Sequence, residues 1–364
     1  MIKNTGNEQS KEIEKYIRYK KRKIILIVAL IAAVLALMIL AVNSGSAKIP
    51  IKEILLSLIG KGDSVTTAVV WNIRLPRIIG AVVAGAGLSI AGCVMQNNLK
   101  NPMASPSTLG ISNAAVFGAN IAIIVLGAGS ISSSSADAVF ISNPYSVTII
   151  AFITSMIAMM VILALSKLRN FSSESIILAG VALGSLFSAG TILIQYFAED
   201  VQVAAAVFWS FGDLGRLVWK EVFIMTLIVS FSITYFLFKR WDYNAIETGR
   251  ETAKSLGVNV DRTILVGMVL SSIITAVTVS FLGIIGFIGL ISPHIVRKII
   301  DSDHRYLIPM SAVMGSFTLL LADTVARTVI SPIILPVGAI TSFLGAPLFL
   351  YLLIDKIRFR VLYK

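Results

Sequence analysis

The sequence predicts an all-α integral membrane protein of about ten transmembrane helices, and three observations carry that expectation. Hydrophobic residues make up 56% of the 364 positions and charged residues only 14%, against about 25% charged in a soluble domain. The mean hydropathy is +0.88. Apolar stretches of roughly 20 residues, each long enough to cross the hydrocarbon of a bilayer, recur along the chain between short polar breaks. At that length per span, the chain admits about ten spans and leaves no room for a soluble catalytic domain.

The elements follow in order. A basic tail, residues 1–23, ends in YKKRK. The apolar run 24–42 after it is long enough to span and is read as an uncleaved first helix, since AVNSGSAK is a weak cleavage site. IPIKEILLSLIG in the mixed segment 43–70 reads as a short helix at the outer interface. Next comes RLPR, in which Arg74 and Arg77 bracket Pro76, followed by a glycine- and alanine-studded second span at 76–96 and the polar bend NNLKNPMASP. The third span covers 108–128, and the serine-rich stretch ISSSSADAVFISNPY reads as a solvated outer loop. Span four takes 146–166, SKLRN turns inside, and span five takes 175–197. Within span five, Gly180, Gly184 and Ser188 place a small residue at every fourth position, a face that lets another helix approach closely, within the subunit or at a dimer seam.

Residues 198–220 form a second outer segment, with Trp209, Trp219, Arg216 and Lys220 as interface anchors. Span six, 222–238, leads into the polar inner loop 239–262. The uncharged run from Thr263 to Val296 is too long for one perpendicular span and short for two full ones. Arg262 before it and Arg297 with Lys298 after it both look cytoplasmic, so it is read as two passes, at least one short, turning at Gly283, Gly286 and Gly289. Span nine covers 307–326 and span ten 337–354. On this map both termini are cytoplasmic, and 23 of the 31 Lys and Arg face inward while eight face outward, in line with the positive-inside preference.

The net charge of +12 is therefore assigned to cytoplasmic loops, and no nucleic acid is expected as a partner. The single cysteine, Cys93, precludes an intramolecular disulfide and reads as a small packing residue. No GxxxxGK[ST] loop is present, so ATP would be handled by another subunit. His294 and His304, ten residues apart near one inner loop, do not make a metal site, and no metal or resident cofactor is expected. Charges inside the spans are scarce, which argues against a proton-coupled carrier.

The outward-facing arginines run against the charge bias. Arg74, Arg77 and Arg327 gather near the outer mouth, where one reading is headgroup snorkelling and the other is docking of an acidic partner. Asp323, four residues before Arg327, shares its helical face and offers it a partner within the chain. In the inner loop, NAIETGRETAKSLGV reads as a helix broken by Gly249 and ended by Gly257. Ala253 and Leu256 would share a face, with Arg250 and Lys254 alongside, either at the membrane interface or in a groove of a cytoplasmic partner.

These pieces, with GFIGLISPHIVR, DHRYLIP, LLLADTVART and LPVGAITSFLGAPLFLYLL, run from about residue 71 to 354. Together they resemble the FecCD-type permeases, the membrane subunits of ABC importers for iron-siderophores, haem and cobalamin. The resemblance implies a type II ABC importer permease with a ten-helix domain at 24–355, including a coupling loop at 240–262, between the tail 1–23 and a cytoplasmic tail 356–364. It implies a second permease subunit, identical or different, two cytoplasmic ATPases that bind ATP-Mg, and an extracytoplasmic substrate-binding protein that docks on Arg74, Arg77 and Arg327. It further implies ATPase coupling through Gly249, Ala253, Leu256 and Gly257, with His294 and Arg297 on a second inner segment, and a place for span five beside the path. The expected function is ATP-driven uptake of an iron-siderophore across the cell membrane by alternating access, with haem or cobalamin as other cargoes. A secondary carrier, which would work without an ATPase, and a receptor, which would bind without flux, are the competing classes.

Overall fold

A computed structural model describes residues 2–45, 49–128, 143–167 and 172–362, with side chains described between 13 and 351. The serine-rich stretch at 129–142 and the turn at 168–171 lie outside the described residues. Among the described residues all regular secondary structure is helical apart from one isolated bridge, Phe211 to Ile284.

The chain opens with α1 (Ile2–Asn43), whose 42 residues reach about 63 Å at 1.5 Å per residue, twice the hydrocarbon thickness of about 30 Å. Two short helices follow, α2 (Ile51–Leu58) and α3 (Ser64–Val69), the latter capped by the Asp63 carboxylate accepting from the Val65 amide. A π-turn (Val70–Arg74) joins α3 to α4 (Leu75–Asn98). Then come α5 (Ile111–Asn120), extended by a π-turn to Val125, and α6 (Pro144–Lys167), α7 (Ser173–Tyr196) and α8 (Asp200–Ser210). α9 (Trp219–Phe238) leads to the inner-loop helices α10 (Arg240–Thr248) and α11 (Arg250–Ser255). The chain closes with α12 (Val260–Leu282), α13 (Ile288–Ile300), α14 (His304–Thr328) and α15 (Val337–Leu362). Seven helices among the described residues are long and apolar enough to cross a membrane, and 111–125 and 337–351 are shorter apolar helices. The short α13 stands where the sequence led to the expectation of a short pass.

The helix α4 sits at the centre, packed on α14, α12, α13, α9 and α1. Its glycines explain why it can. A Cβ on Gly85 would fall 2.3 Å from the Gly315 carbonyl oxygen of α14, and one on Gly92 would fall 1.7 Å from the Gly289 carbonyl oxygen of α13. Both crossings are backbone on backbone, the close approach that small residues permit and that maximises dispersion contact where lipid supplies no hydrophobic drive. Ser89 adds a hydrogen bond across the first crossing, to the Ser311 carbonyl at 2.6 Å.

The uncharged run from Thr263 resolves into one full helix, α12, and one short helix, α13. Gly283, at φ 78°, and Phe287, at φ 66°, bound the break. Exposed backbone at membrane depth has to be covered by protein. Here Ile284 donates to the Ser210 carbonyl, Asp213 donates to the Leu282 carbonyl, and Val337 donates to the Gly212 carbonyl. Gly289 was expected in the turn but lies inside α13, where it serves the Gly92 crossing.

Two further expectations are corrected by packing. Trp209 is buried, in a cluster with Ala119, Ala206 and Val279, and is no interface anchor. Arg216 caps α8 by donating to the Phe208 and Trp209 carbonyls at 2.6 and 2.9 Å, neutralising the carbonyl end of that helix. The small-residue face of α7 is occupied within the subunit. Asn113 donates to the Gly184 carbonyl and the Ser188 hydroxyl, both at 3.2 Å, and a Cβ on Gly180 would meet Leu109 Cα at 2.8 Å.

Candidate functional site

At one end of the bundle, hereafter the arginine end, the three arginines converge but do not stand in solvent. Arg74 and Arg77 are 5% exposed and Arg327 is 4% exposed. Their partners are inside the chain. Arg77 donates through Nε to Asp323 Oδ1 at 2.8 Å, with Nη2 also 2.8 Å from that oxygen and 3.8 Å from Asp213 Oδ1. The other Asp323 oxygen lies 3.0 Å from Arg327 Nε. Arg327 Nη1 donates to the Ser44 carbonyl at 2.7 Å and the Ala41 carbonyl at 3.3 Å, and Arg74 Nη1 donates to the Val42 carbonyl at 2.5 Å.

The physical logic is a helix terminus. The last carbonyls of α1 have no intrahelical donors and carry the negative end of its dipole. Two guanidiniums satisfy them, and the fully buried Asp323 compensates the guanidinium charge. The i, i+4 pair of Asp323 with Arg327 was legible in the sequence. The Arg77 pair, across 246 positions, was not. The sequence leaves open headgroup snorkelling, docking of an acidic partner and, for Arg327, a pair with Asp323. In the structure their guanidiniums tie α1, α4 and α14 together, and all three residues are buried. Three guanidiniums face two carboxylates, so the cluster keeps a net positive field.

The opposite end, the loop end, carries the inner loop. α10 and α11 meet at Gly249, with φ 143°, and α11 ends at Gly257, with φ 83°. These are backbone conformations that suit glycine and strain other residues. Ala253 and Leu256 do not share an environment. Ala253 is buried beside Ile246, Val260 and Ile264, whereas Leu256, just past the end of α11, is 68% exposed. Ala253 anchors the short helix, and Leu256 is the apolar group it displays. Arg250 pairs with Asp261 and Lys254 with Glu251 on the exposed side.

Side-chain amides fasten this loop to the membrane helices. Asn97 of α4 donates to the Tyr243 carbonyl at 3.2 Å. Asn244 of α10 accepts from the His304 amide at 2.8 Å and donates to Asp303 at 3.1 Å. Burial raises the Asp303 carboxyl, but hydrogen bonds from Arg305 and Asn244 outweigh it and hold the group down at about 2. Arg297 reaches back from α13 to the Gln96 side chain and the Cys93 carbonyl, while Gln96 donates to the Gly289 and Leu290 carbonyls. The His294 ring packs edge-to-face with Phe349 of α15, centroids 6.4 Å apart. Arg297 and His294 are thus half-buried contacts between helices. Gln96, Asn97, Lys100, Pro102, Glu247 and Arg297 line a polar cavity of about 250 Å³ there. Sequence patterning does not single out Gln96, a polar residue at the edge of the second span, or Asn244, one polar residue among many in the inner loop. Among the described residues no three His, Cys, Asp or Glu side chains gather as a metal site would require.

The sequence profile described as the FecCD transport family matches residues 26–355. A Methanocaldococcus jannaschii protein whose name assigns it as an ABC transporter permease is 54% identical over 94% of this chain and 97% of its own length. The hemin transport system permease of Yersinia pestis is 36% identical over 79% of this chain and 84% of its own. Other relatives carry names for Fe(3+)-citrate import and cobalamin import. A solved structure described as the inward-facing conformation of a metal-chelate type ABC transporter superposes with a TM-score of 0.76 at 26% identity, covering 92% of this chain and 99% of that one. The chain belongs to the FecCD transport family and is a permease subunit of an ABC importer, a multi-pass membrane protein with seven helices among the described residues long and apolar enough to cross a membrane.

Proposed function

We propose that this permease subunit imports an iron-siderophore chelate by alternating access. ATP is hydrolysed by cytoplasmic ATPase subunits and the cargo is delivered by an extracytoplasmic binding protein. The loop end and both termini face the cytoplasm, the arginine end faces outward, and the chain pairs with a second permease subunit, identical or homologous, in the cell membrane. The observation that carries the reading is α11. A two-turn helix, isolated between two positive-φ glycines and displaying Leu256 to solvent, is fixed at its base by Ala253 and by the amide links of Asn97 and Asn244. Such a knob suits a groove on an ATPase, and its base passes movement to α4 and α14.

Leu256→Ala tests this directly. Because the side chain is exposed, stability should change by less than about 0.5 kcal/mol, while ATP-driven uptake in vesicles should fall at least about tenfold. Unchanged uptake would remove α11 from the coupling role. At the arginine end, three guanidiniums against two carboxylates leave a net positive field that favours an acidic partner. Arg74→Gln keeps a donor for the Val42 carbonyl and removes the charge. Binding-protein affinity should then drop about tenfold in a titration at low salt, and an unaltered affinity would contradict docking at this cluster.

The cargo class rests on relatives named for hemin, Fe(3+)-citrate and cobalamin import. Haem and cobalamin are accordingly the second reading. Each of these cargoes arrives with its metal already enclosed and asks for no metal-ligating side chains from the permease.

A further inference from the structure

The family profile begins at residue 26, yet α1 begins at Ile2 and carries a basic extension before its apolar part. Six of the nine residues from Lys15 to Lys23 are Lys or Arg. One side of this extension is committed to the protein. The Tyr19 hydroxyl donates to Asp301 at 3.0 Å, Lys23 sits 3.9 Å from the Tyr19 ring centroid and 4.0 Å from Asp301, and Arg305 reaches the Tyr16 hydroxyl at 3.5 Å. Lys23 is buried by these contacts. They fix the rotation of α1 about its axis.

With that rotation fixed, Arg18, Lys21 and Arg22 point elsewhere. At spacings of i, i+3, i+4 and i+7 they stand in line with Ile25. The exposed stripe of Ile25, Val28, Leu35 and Ile39 continues that side through the membrane. The three cations are exposed, and the 2.9 Å pair of Arg18 with Glu14 is at the surface. The acidic side chains of the α13–α14 loop are engaged on the other side, Asp301 with Tyr19 and Lys23, Asp303 with Arg305 and Asn244.

Height selects the ligand. The apolar stretch begins at Ile24, so a rise of 1.5 Å per residue puts Arg22 and Lys21 about 3 to 5 Å beyond it, inside a headgroup layer about 5 to 8 Å deep, and Arg18 about 9 Å beyond it, at the outer edge of that layer within reach of its long side chain. Tyr16 and Tyr19, half exposed beside them, are residues typical of that layer. Cations at headgroup depth, on the side of a helix that looks into lipid, meet phosphate. We propose that Arg18, Lys21 and Arg22 form a binding surface for anionic phospholipid headgroups, anchoring this end of α1 in the leaflet. The chemistry follows from the geometry alone; assignment to the cytoplasmic leaflet rests on the orientation proposed above.

The test uses the full-length chain in phosphatidylcholine bilayers with spin-labelled phosphatidylglycerol or phosphatidylcholine as the probe, reading the fraction of motionally restricted label. The native chain should favour phosphatidylglycerol about twofold or more, and salt should weaken the preference. R18Q/K21Q/R22Q should bring it close to parity, K21Q alone should give an intermediate value, and the charge-preserving R18K/K21R/R22K should retain it. K52Q/K61Q/K220Q makes the same charge change at exposed sites of the arginine end and should leave most of it. A preference that survives R18Q/K21Q/R22Q, or that falls equally in K52Q/K61Q/K220Q, overturns the proposal. Protease access to residues 1–23 in sealed vesicles reads orientation separately: an outward tail would move the site to the other leaflet without touching the lipid preference.

Discussion

Asp323 is the residue on which the arginine end depends. It is completely buried, and both its oxygens face guanidiniums, Arg77 from α4 and Arg327 from its own helix. Removing the carboxylate leaves two buried cations facing each other, and breaking a buried pair from one side costs about 3–5 kcal/mol. Asp323→Asn should therefore lower the stability of the purified chain by that order in a thermal or denaturant melt. Asp213→Asn, at a carboxylate 40% exposed and 3.8 Å from Arg77, should cost under about 1 kcal/mol. Equal effects from the two would mean that Asp323 does not hold the cluster. The sequence showed Asp323 and Arg327 four apart and so gave their pairing. It gave no hint that Arg74 would turn to a carbonyl of α1, because the orphan carbonyls of a helix end carry no side-chain signature.

Among the elements, α4 is the central one, packed on α14, α12, α13, α9 and α1, and its apolar length, bounding prolines and polar exit were plain from composition and turn chemistry. What its glycines do was not. Gly85 and Gly92 look in sequence like Gly283 and Gly286, yet the first pair permits helix crossings and the second lies at a break. Only the partner backbone distinguishes them. Gly92→Ala would drive a methyl group to 1.7 Å from the Gly289 oxygen, so α4 and α13 must part. Overpacking of a filled interior costs about 1–3 kcal/mol or more, and the melting temperature should fall accordingly. Gly286→Ala is the comparison: its nearest neighbour would be the Ser342 hydroxyl at 3.5 Å, an ordinary contact. A Gly92→Ala melt that matched Gly286→Ala would deny the crossing its role. The α12–α13 run shows the same limit of sequence reading. Two passes, one short, followed from length and flanking charge, whereas the hydrogen bonds that cover the break come from Ser210 at the end of α8 and Asp213 just after it, remote in sequence.

For the whole molecule, the two ends are joined by the same helices. α4 carries Arg77 at one end and Asn97 at the other, and α14 carries Asp323 and Arg327 at one end and His304 at the other. A movement of the loop that holds α11 therefore reaches the arginine end through two helices locked together by the Gly85–Gly315 crossing. That connection is what an importer powered from one face and loaded at the other requires. The family was legible from motifs spread over the chain, because each motif is a turn or polar site with a fixed spacing. The cargo was not, since the residues that define the fold are helix contacts and not ligand contacts. The most direct test is transport itself. The chain is co-reconstituted in sealed vesicles with its ATPase subunits and binding protein, and uptake of a ferric-siderophore is measured with and without Mg-ATP. The account predicts uptake only when ATP, the ATPase and the binding protein are all present; uptake that proceeds on an ion gradient with no ATPase would contradict it.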